Sequence, residues 1–279
     1  MLAAWLFRFF AWLCITLPEQ NIKLIIDLLS SLYYRLDFRK RHHVKKNLSV
    51  ILNDSEKISQ LTPKVYQHFG YFLYEFFSKK TFEMKSKSFL SPHTVLGNPG
   101  EHSSLILTGH YGNWELGLRH LLNLGYKVST ITMHHSHSKV DHFFDEMRQH
   151  PNLTCHDLEK GLQPIMRSIQ NKHIVALACE RDYTQRGFQF EFMNSEIKFP
   201  KGPAYLIKKF KRPTFIFSQE RTNLLSFNYD LIPLSFNSEA ESLEMLSYRV
   251  AKEVFRVILN KPEQWLTFDP YFIDSMKKK

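Results

Sequence analysis

From about residue 103 onward, short runs rich in β-forming residues alternate with amphipathic helical stretches, and this alternation restricts the possible folds more than any other feature of the chain. Strands that are separated by helices usually pair in parallel, with helices covering the sheet. The sequence therefore predicts an α/β fold, in which a central, mostly parallel sheet is flanked by helices. The predicted strands are residues 105–107, 128–132, 174–178, 188–193, 214–217 and 227–232. Helices are predicted around residues 114–122, 140–147 and 162–169, and a long helix is predicted over 243–259.

Residues 1–17 are apolar apart from Arg8, and Pro18 closes the stretch. A membrane-spanning helix requires roughly 20 apolar residues, so this stretch is slightly short for one. Its apolar side chains surround the predicted helix instead of forming a single stripe. We expect an anchor that is inserted in the membrane or lies at its interface, and a buried core helix is the alternative. A secretory signal is not expected because no basic region precedes the apolar stretch.

A second helix is predicted over residues 22–36, and a strongly basic segment follows it. The whole chain has 37 Lys and Arg against 27 Asp and Glu, a formal net charge of +10, which attracts polyanions. Because the basic segment adjoins two apolar helices, it favours anionic lipid head groups, with each cation contributing about 1 kcal/mol near the surface. We therefore predict a membrane-associated N-terminal unit over residues 1–50 and an α/β catalytic domain over residues 51–279. The basic residues are Arg35, Arg39, Lys40, Arg41, Lys45 and Lys46.

A third helix is predicted to begin with Thr62 as its N-cap and Pro63 at its first helical position, because these residue types favour those two places. Apolar side chains then recur at helical spacing, which is typical of a helix that packs into a core. They are Val65, Phe69, Phe72, Leu73 and Phe76.

The cysteines and histidines do not form a recognisable metal site. Three cysteines are odd in number and lack CxxC spacing, so neither a disulfide framework nor a zinc ribbon is expected, and a reducing compartment fits best. Several histidines cluster near residue 135, but they lack the spacing of common zinc motifs. We predict no metal. The residues concerned are Cys14, Cys155, Cys179, His134, His135, His137, Asp141 and His142.

The segment 109–115, which reads GHYGNWE, is the best candidate for catalysis. His110 follows an apolar strand directly, and active sites of open α/β sheets lie beyond the carboxyl ends of strands. Glu115 comes five residues later, so the two side chains can meet only if His110 lies in the turn before a helix. Gly109 and Gly112 flank the region and permit such a turn. Neutral His110 would then act as a general base, and Glu115 would orient its imidazole. A structural histidine is the alternative, because HxxxxE spacing alone arises often by chance.

Three ordered blocks carry a resemblance to a known family. They read GHYGNWELG, CERDYTQRGFQFEFMNSEIKFPKGPAYLIKK and PEQWLTF. Together they resemble the bacterial lipid A biosynthesis acyltransferases (lauroyl and myristoyl transferases) of the lysophospholipid acyltransferase superfamily. The related phosphatidylinositol mannoside acyltransferases share the pattern. The resemblance spans most of the chain, including the apolar N-terminal stretch and the basic segment.

The resemblance implies specific roles for several residues. It implies a catalytic dyad of His110 and Glu115, and it implies that the block from Glu180 to Asp182 lies beside that dyad. Arg181 would bind a phosphate of the donor or lipid, or stabilise an oxyanion, and an ion pair with a neighbouring carboxylate is the alternative. The substrate-binding residues that follow are Arg181, Asn113, Asp182 and Lys198. Family members commonly read F-F-G where this chain has Phe192, Met193 and Asn194.

The reaction implied is transfer of a fatty acyl chain from an acyl carrier protein or coenzyme A thioester to a hydroxyl of a membrane glycolipid. Because no Ser or Cys lies within the motif, the substrate hydroxyl would attack directly. No cofactor is expected beyond this co-substrate. The resemblance also implies the bacterial inner membrane, with the catalytic domain facing the cytoplasm. The alternatives are a thioesterase or lysophospholipase that uses the same dyad, and a non-catalytic peripheral membrane protein. Nucleic-acid binding is disfavoured because exposed stacking aromatics do not accompany the basic residues.

Overall fold

The structure is a computed structural model that describes residues 2–88, 90–133, 138–193, 195–237 and 239–273. Its helices are α1 (Leu2–Thr16), α2 (Glu19–Leu36), α3 (Phe38–Ile51), α4 (Ser55–Ser78), α5 (Pro92–Leu96), α6 (Trp114–Asn123), α7 (Ser138–Arg148), α8 (Gln163–Gln170), α9 (Gly202–Phe210) and α10 (Leu243–Ile258). Its strands are β1 (Glu83–Ser86), β2 (Leu105–Thr108), β3 (Val128–Thr132), β4 (Leu153–Asp157), β5 (Ile174–Ala178), β6 (Phe188–Phe192), β7 (Ser195–Phe199), β8 (Thr214–Asn223) and β9 (Ser226–Leu234).

Seven strands form one sheet in the order β1-β9-β8-β2-β5-β3-β4. All neighbouring pairs are parallel except β8 and β9, which form an antiparallel hairpin. Strands β6 and β7 form a separate antiparallel pair. The predicted α/β class is therefore confirmed, with helices flanking a mostly parallel sheet. The central strand β2 is almost completely buried because apolar residues face both layers of helices.

The sequence did not indicate every element. Strand β4 was not predicted, because its sequence LTCHD is short and lies at the edge of the sheet, where apolar residues are not required. Helix α3 was described only as a basic segment, since just three of its residues are buried. These two misses have the same cause, which is that hydrophobic periodicity detects only elements that bury a regular face.

The predicted start of the third helix at Thr62 is wrong. Helix α4 begins at Ser55, and the Asp54 side chain caps it by accepting from the Lys57 amide at 3.0 Å. Pro63 therefore lies inside the helix. Proline interrupts one backbone hydrogen bond there, but the helix continues because Thr62 and the residues after it are packed in the core. The apolar stripe that we assigned to the core is confirmed for Val65, and also for Phe72 and Phe76.

Helices α1 and α2 pack against α4, and α1 also contacts α7. The crossing of α2 and α4 is close. A Cβ atom on Gly70 would lie 2.5 Å from Ser30 Oγ and 2.6 Å from Ile26 Cγ2. Asp27 of α2 reinforces the crossing by accepting from Gln67 Nε2 at 2.8 Å and from Tyr71 Oη at 2.7 Å. The N-terminal helices thus have a fixed position on the rest of the chain.

Among the residues that the structure describes, no helix combines the length and the apolar character that crossing a bilayer requires. The predicted boundary at residue 50 stays a prediction.

Substitution of Gly70 by Ala should destabilise the protein. Overpacking of a tight contact costs about 1–3 kcal/mol, which exceeds the gain of up to about 1 kcal/mol from replacing a helical glycine. Thermal or urea unfolding would measure the change. Gly202→Ala is the matched control, because the new Cβ would meet Leu162 at an ordinary 3.4 Å. Equal stabilities of the two variants would contradict the close crossing.

Candidate active site

His110 and Glu180 meet at the carboxyl ends of two neighbouring strands. Strands β2 and β5 pair in parallel with Thr108 opposite Ala178, and each site residue follows two positions later. His110 Nδ1 lies 2.6 Å from Glu180 Oε1. The carboxylate is fully buried, whereas 23% of the His110 side chain is exposed. The pair therefore resembles a general base with a buried orienting carboxylate.

Electrostatics keep Glu180 ionised. Burial by itself would raise the pKa of this carboxyl, but His110 and Arg181 hold the pKa below its ordinary value. Since an ionised carboxylate only accepts hydrogen bonds, His110 Nδ1 carries the proton and donates it to Glu180. The lone pair of the neutral imidazole is then on Nε2. The pair supplies an imidazole in a fixed tautomer, ready to accept a proton at Nε2.

The backbone on either side of His110 is held by the segment 264–266. The His110 carbonyl accepts from the Leu266 amide at 2.8 Å, and the Gly112 amide donates to the Gln264 carbonyl at 3.0 Å. Gly112 has φ +65°, and any Cβ atom there would overlap the Gln219 carbonyl. Only glycine suits this conformation and this close approach. The turn before helix α6, which we predicted from the two glycines, is present.

Glu115 does not contact His110, which corrects the expected hydrogen bond between them. Its two carboxylate oxygens accept from Arg148, with Nε at 3.0 and 3.2 Å and a terminal guanidinium nitrogen at 2.6 Å. Helix α6 begins at Trp114, so Glu115 lies in its first turn and faces α7. The five-residue spacing thus directs Glu115 away from His110. The signal that was missed is Glu180, at the same distance after its own strand as His110.

Arg181 lies beside the pair, as the resemblance implies. Its Nε is 3.9 Å from Glu180 Oε1, and its guanidinium also contacts Thr267 Oγ1 and, at 3.4 Å, Asp269 Oδ2. The side chain is 17% exposed. Burial raises the pKa of the neighbouring Tyr183 above its ordinary value, and the charge of Arg181 only partly opposes this increase. The contacts with Thr267 and Asp269 thus hold the partly accessible Arg181 guanidinium beside the carboxylate that contacts His110.

Asp182 and Lys198 shape the loop that follows strand β5. Asp182 accepts from the Thr184 amide at 3.1 Å and from the Gly187 amide at 2.6 Å. Lys198 donates to the Gln185 carbonyl at 2.5 Å. Both side chains therefore make contacts within the protein where we expected substrate contacts. In the F-F-G position, Asn194 lies outside the described residues, and Met193 has φ +50°.

Asn113 is fully buried and forms the N-cap of α6. Its Oδ1 accepts from the Leu116 amide at 3.2 Å, and its Nδ2 donates to Glu75 Oε2 at 2.8 Å. This placement gives Asn113 a structural position in place of the substrate contact that we expected.

A buried ion pair lies behind the His110 turn. Glu75 of α4 is bidentate to Arg221 of β8, with both N–O distances 2.6 Å. Arg221 also donates to His68 Nδ1 at 2.8 Å. Burial, together with Arg221 and nearby lysines, lowers the pKa of His68 to about 3. His68 is therefore neutral and serves as an acceptor.

Neither a thiol nucleophile nor a metal centre is formed by the residues that the structure describes. Burial raises the pKa of Cys14 to about 12 and that of Cys155 to about 11, and it also raises the pKa of Cys179 beside Glu180. No group of three or more His, Cys, Asp or Glu side chains in the described ranges is placed to hold an ion. Of the histidines near residue 135, His134, His135 and His137 lie outside the described residues.

The model of the bacterial lipid A biosynthesis acyltransferase family matches residues 1–273. The match includes both strands that carry His110 and Glu180 and the segment 264–266 that holds the His110 turn. No curated protein matches the chain significantly.

The lowered pKa of His68 predicts an acid-sensitive fold. Below pH 6.5 the unfolded chain protonates this histidine while the folded protein does not, down to about pH 3. Neutral His68 therefore makes its full contribution to the free energy of unfolding above pH 6.5. That contribution is lost as the pH falls, by about 1.4 kcal/mol per pH unit. His68→Gln retains an acceptor for Arg221 without the titration, so its free energy of unfolding should depend less steeply on pH. Identical slopes for variant and wild type between about pH 5 and 6.5 would contradict this account.

Proposed function

The chain belongs to the bacterial lipid A biosynthesis acyltransferase family, and we propose that it transfers a fatty acyl chain from an acyl carrier protein or coenzyme A thioester to a hydroxyl of a membrane glycolipid. Family membership makes it a lipid acyltransferase. The observation that carries the finer proposal is the 2.6 Å contact between His110 Nδ1 and the buried carboxylate of Glu180. That contact leaves a basic imidazole nitrogen on a side chain that solvent reaches.

In the proposed reaction, His110 Nε2 removes the proton of the acceptor hydroxyl as its oxygen attacks the thioester carbonyl carbon. The carbon–oxygen bond forms, and the carbonyl oxygen becomes an oxyanion. When the intermediate collapses, the carbon–sulfur bond breaks and the imidazolium returns its proton to the departing thiolate. An ester and a free thiol result. Glu180 stabilises the imidazolium during this sequence, as the buried carboxylate does in serine hydrolases.

Arg181 is the best candidate for stabilising the negative charge that develops. Its Nε lies 3.9 Å from Glu180 Oε1, beside the carboxylate that contacts His110, and part of its side chain is accessible. Electrostatic groups that are fixed before the reaction stabilise a transition state without reorganisation. Its contacts with Thr267 and Asp269 fix the guanidinium in this way.

A membrane surface is the proposed location of the reaction. Helices α1 and α2 expose large apolar side chains, with Trp5 74% and Leu28 70% accessible. On α2 the exposed leucines recur every four residues at Leu24, Leu28, Leu32 and Leu36, so they form one continuous apolar face. The basic helix α3 follows directly, and it would contact anionic head groups. We place the enzyme at the bacterial inner membrane, with the catalytic domain in the cytoplasm, where free cysteines are the norm.

Loss of the general base should remove most of the activity. His110→Ala and Glu180→Gln are each expected to lower kcat, the former by about 10²–10⁴-fold, while the fold persists. The measurement is the formation of acylated glycolipid, followed by mass spectrometry. Undiminished transfer by His110→Ala would overturn the mechanism, and release of free fatty acid in the presence of a competent acceptor would favour a hydrolase.

Glu115→Gln provides the contrast with Glu180→Gln. Because Glu115 pairs with Arg148, its substitution leaves a partly buried cation unpaired and should cost about 3 kcal/mol of stability. The activity of the folded fraction should fall less than in Glu180→Gln. If Glu115→Gln lost more activity than Glu180→Gln at equal folded fraction, Glu115 and not Glu180 would be the residue that assists His110.

The apolar face of α2 can be tested separately. The double variant Leu28→Gln/Leu32→Gln changes only exposed side chains, so it should fold normally and bind less to vesicles that contain anionic lipid. Met245→Gln is the matched control, because Met245 is also an exposed apolar residue but lies on α10. Co-sedimentation with vesicles measures binding. Equal losses in the two proteins would contradict the assignment of this face.

A further inference from the structure

Asn113 links the turn that contains His110 to a buried charge on another helix. Its amide group donates to Glu75 of α4 at 2.8 Å, while its amide oxygen caps α6. No other side chain in the described residues accepts from this amide, and the nearest backbone acceptor is the Phe72 carbonyl at 3.5 Å. The side-chain position of Asn113 therefore depends on Glu75.

A second link reaches the same turn from the other partner of the ion pair. The Gln264 side chain accepts from the Arg221 amide at 2.8 Å and donates to the Arg221 carbonyl at 3.0 Å. The Gln264 carbonyl in turn accepts from the Gly112 amide at 3.0 Å. The His110 turn is thus joined to the Glu75 side chain through Asn113 and to the backbone of Arg221 through Gln264.

Stability alone does not explain a charged pair in this place. Both side chains are almost completely buried, with 0% of Glu75 and 2% of Arg221 exposed. The cost of removing two charges from water commonly equals or exceeds their attraction, and apolar replacements of such pairs are often neutral or stabilising. A buried pair with directed hydrogen bonds does, however, select one geometry over its alternatives.

We propose that the Glu75–Arg221 pair positions the His110 turn for acyl transfer, acting through Asn113, while Gln264 joins the same turn to the strand backbone at Arg221. Neither charged residue touches His110, so both are positioning residues and not catalytic ones. This inference rests on the proposed function, because the position of the turn affects activity only if His110 acts on the substrate. The pair would fix the side-chain position of Asn113, and with it the start of helix α6, while Glu180 orients the imidazole.

Two double variants separate positioning from stability. Glu75→Met/Arg221→Met removes the charges and leaves Asn113 Nδ2 with only the Phe72 carbonyl, at 3.5 Å, as an acceptor. Glu75→Gln/Arg221→Met also removes the charges, but the glutamine carbonyl can still accept from Asn113. His68 loses its donor in both proteins, so apart from a long contact of the Leu225 amide with Glu75 Oε1, at 3.4 Å, they differ at the contact that the inference concerns.

We expect kcat of the methionine pair to be about 10- to 100-fold below that of the glutamine variant, since displacements near 1 Å at a reacting group have effects of this size. KM for the thioester should be the same in both, and so should the melting temperature. Equal kcat values in the two folded variants would overturn the inference, and so would a loss of kcat that merely follows the melting temperature.

Two further proteins complete the experiment. If the methionine pair does not fold, Asn113→Ser tests the same contact, because serine retains the helix cap but lacks the donor to Glu75. Its kcat should fall while KM stays unchanged, and an unaltered kcat would overturn the inference. Glu241→Gln is the control for loss of an ion pair elsewhere: it unpairs Arg249, 2.5 Å away, and should leave kcat unchanged.

Amide hydrogen exchange distinguishes a failure of this inference from a failure of the proposed function. The amides of residues 111–116 should exchange faster in the methionine pair than in the glutamine variant, whatever reaction the protein catalyses. Equal exchange would refute the positioning role. Faster exchange in a protein whose wild type transfers no acyl group would instead refute the proposed function, and with it the catalytic meaning of the turn.

Discussion

The parallel pairing of strands β2 and β5 is the constraint on which the site depends. Parallel strands end at the same edge of a sheet, and here their register places Thr108 opposite Ala178. Two residues beyond that point, His110 and Glu180 leave the sheet at the same level. Their contact therefore requires no unusual loop, and the sheet itself fixes the distance between base and carboxylate. The hydrogen bonds of segment 264–266 then fix the backbone on either side of His110.

Three buried carboxylates lie around the site, and their roles differ because their partners differ. Glu180 faces a titratable imidazole, so the net charge of the pair changes when His110 takes up a proton while Glu180 stays ionised. Glu115 and Glu75 face guanidinium groups, which remain charged at any physiological pH. The latter two contacts fix geometry and cannot exchange protons. All three residues are glutamates, so the partner of each one determines whether it takes part in proton transfer or only fixes the structure.

Much of the fold followed from the sequence, because buried strands and amphipathic helices leave a periodic pattern. Strand β2, the helix after it and the glycine turn at His110 were all predicted in place. The partner of His110 was not, because α6, β3, α7, β4 and α8 separate β2 from β5 along the chain, and sequence periodicity does not reveal which strands become neighbours. Glu115 was chosen for nearness in sequence, and the helix start at Trp114 directs it elsewhere.

The segment 264–266 also has a consequence for biosynthesis. It supplies the backbone partners of His110 and Gly112, and Tyr271 beyond it donates to the Glu180 carbonyl at 2.7 Å. The ribosome makes these residues after every strand of the sheet and long after helices α1 and α2. A nascent chain therefore presents its exposed apolar helices well before the turn around His110 is complete. The apolar face that we propose for membrane contact is therefore synthesised before the residues that complete the site.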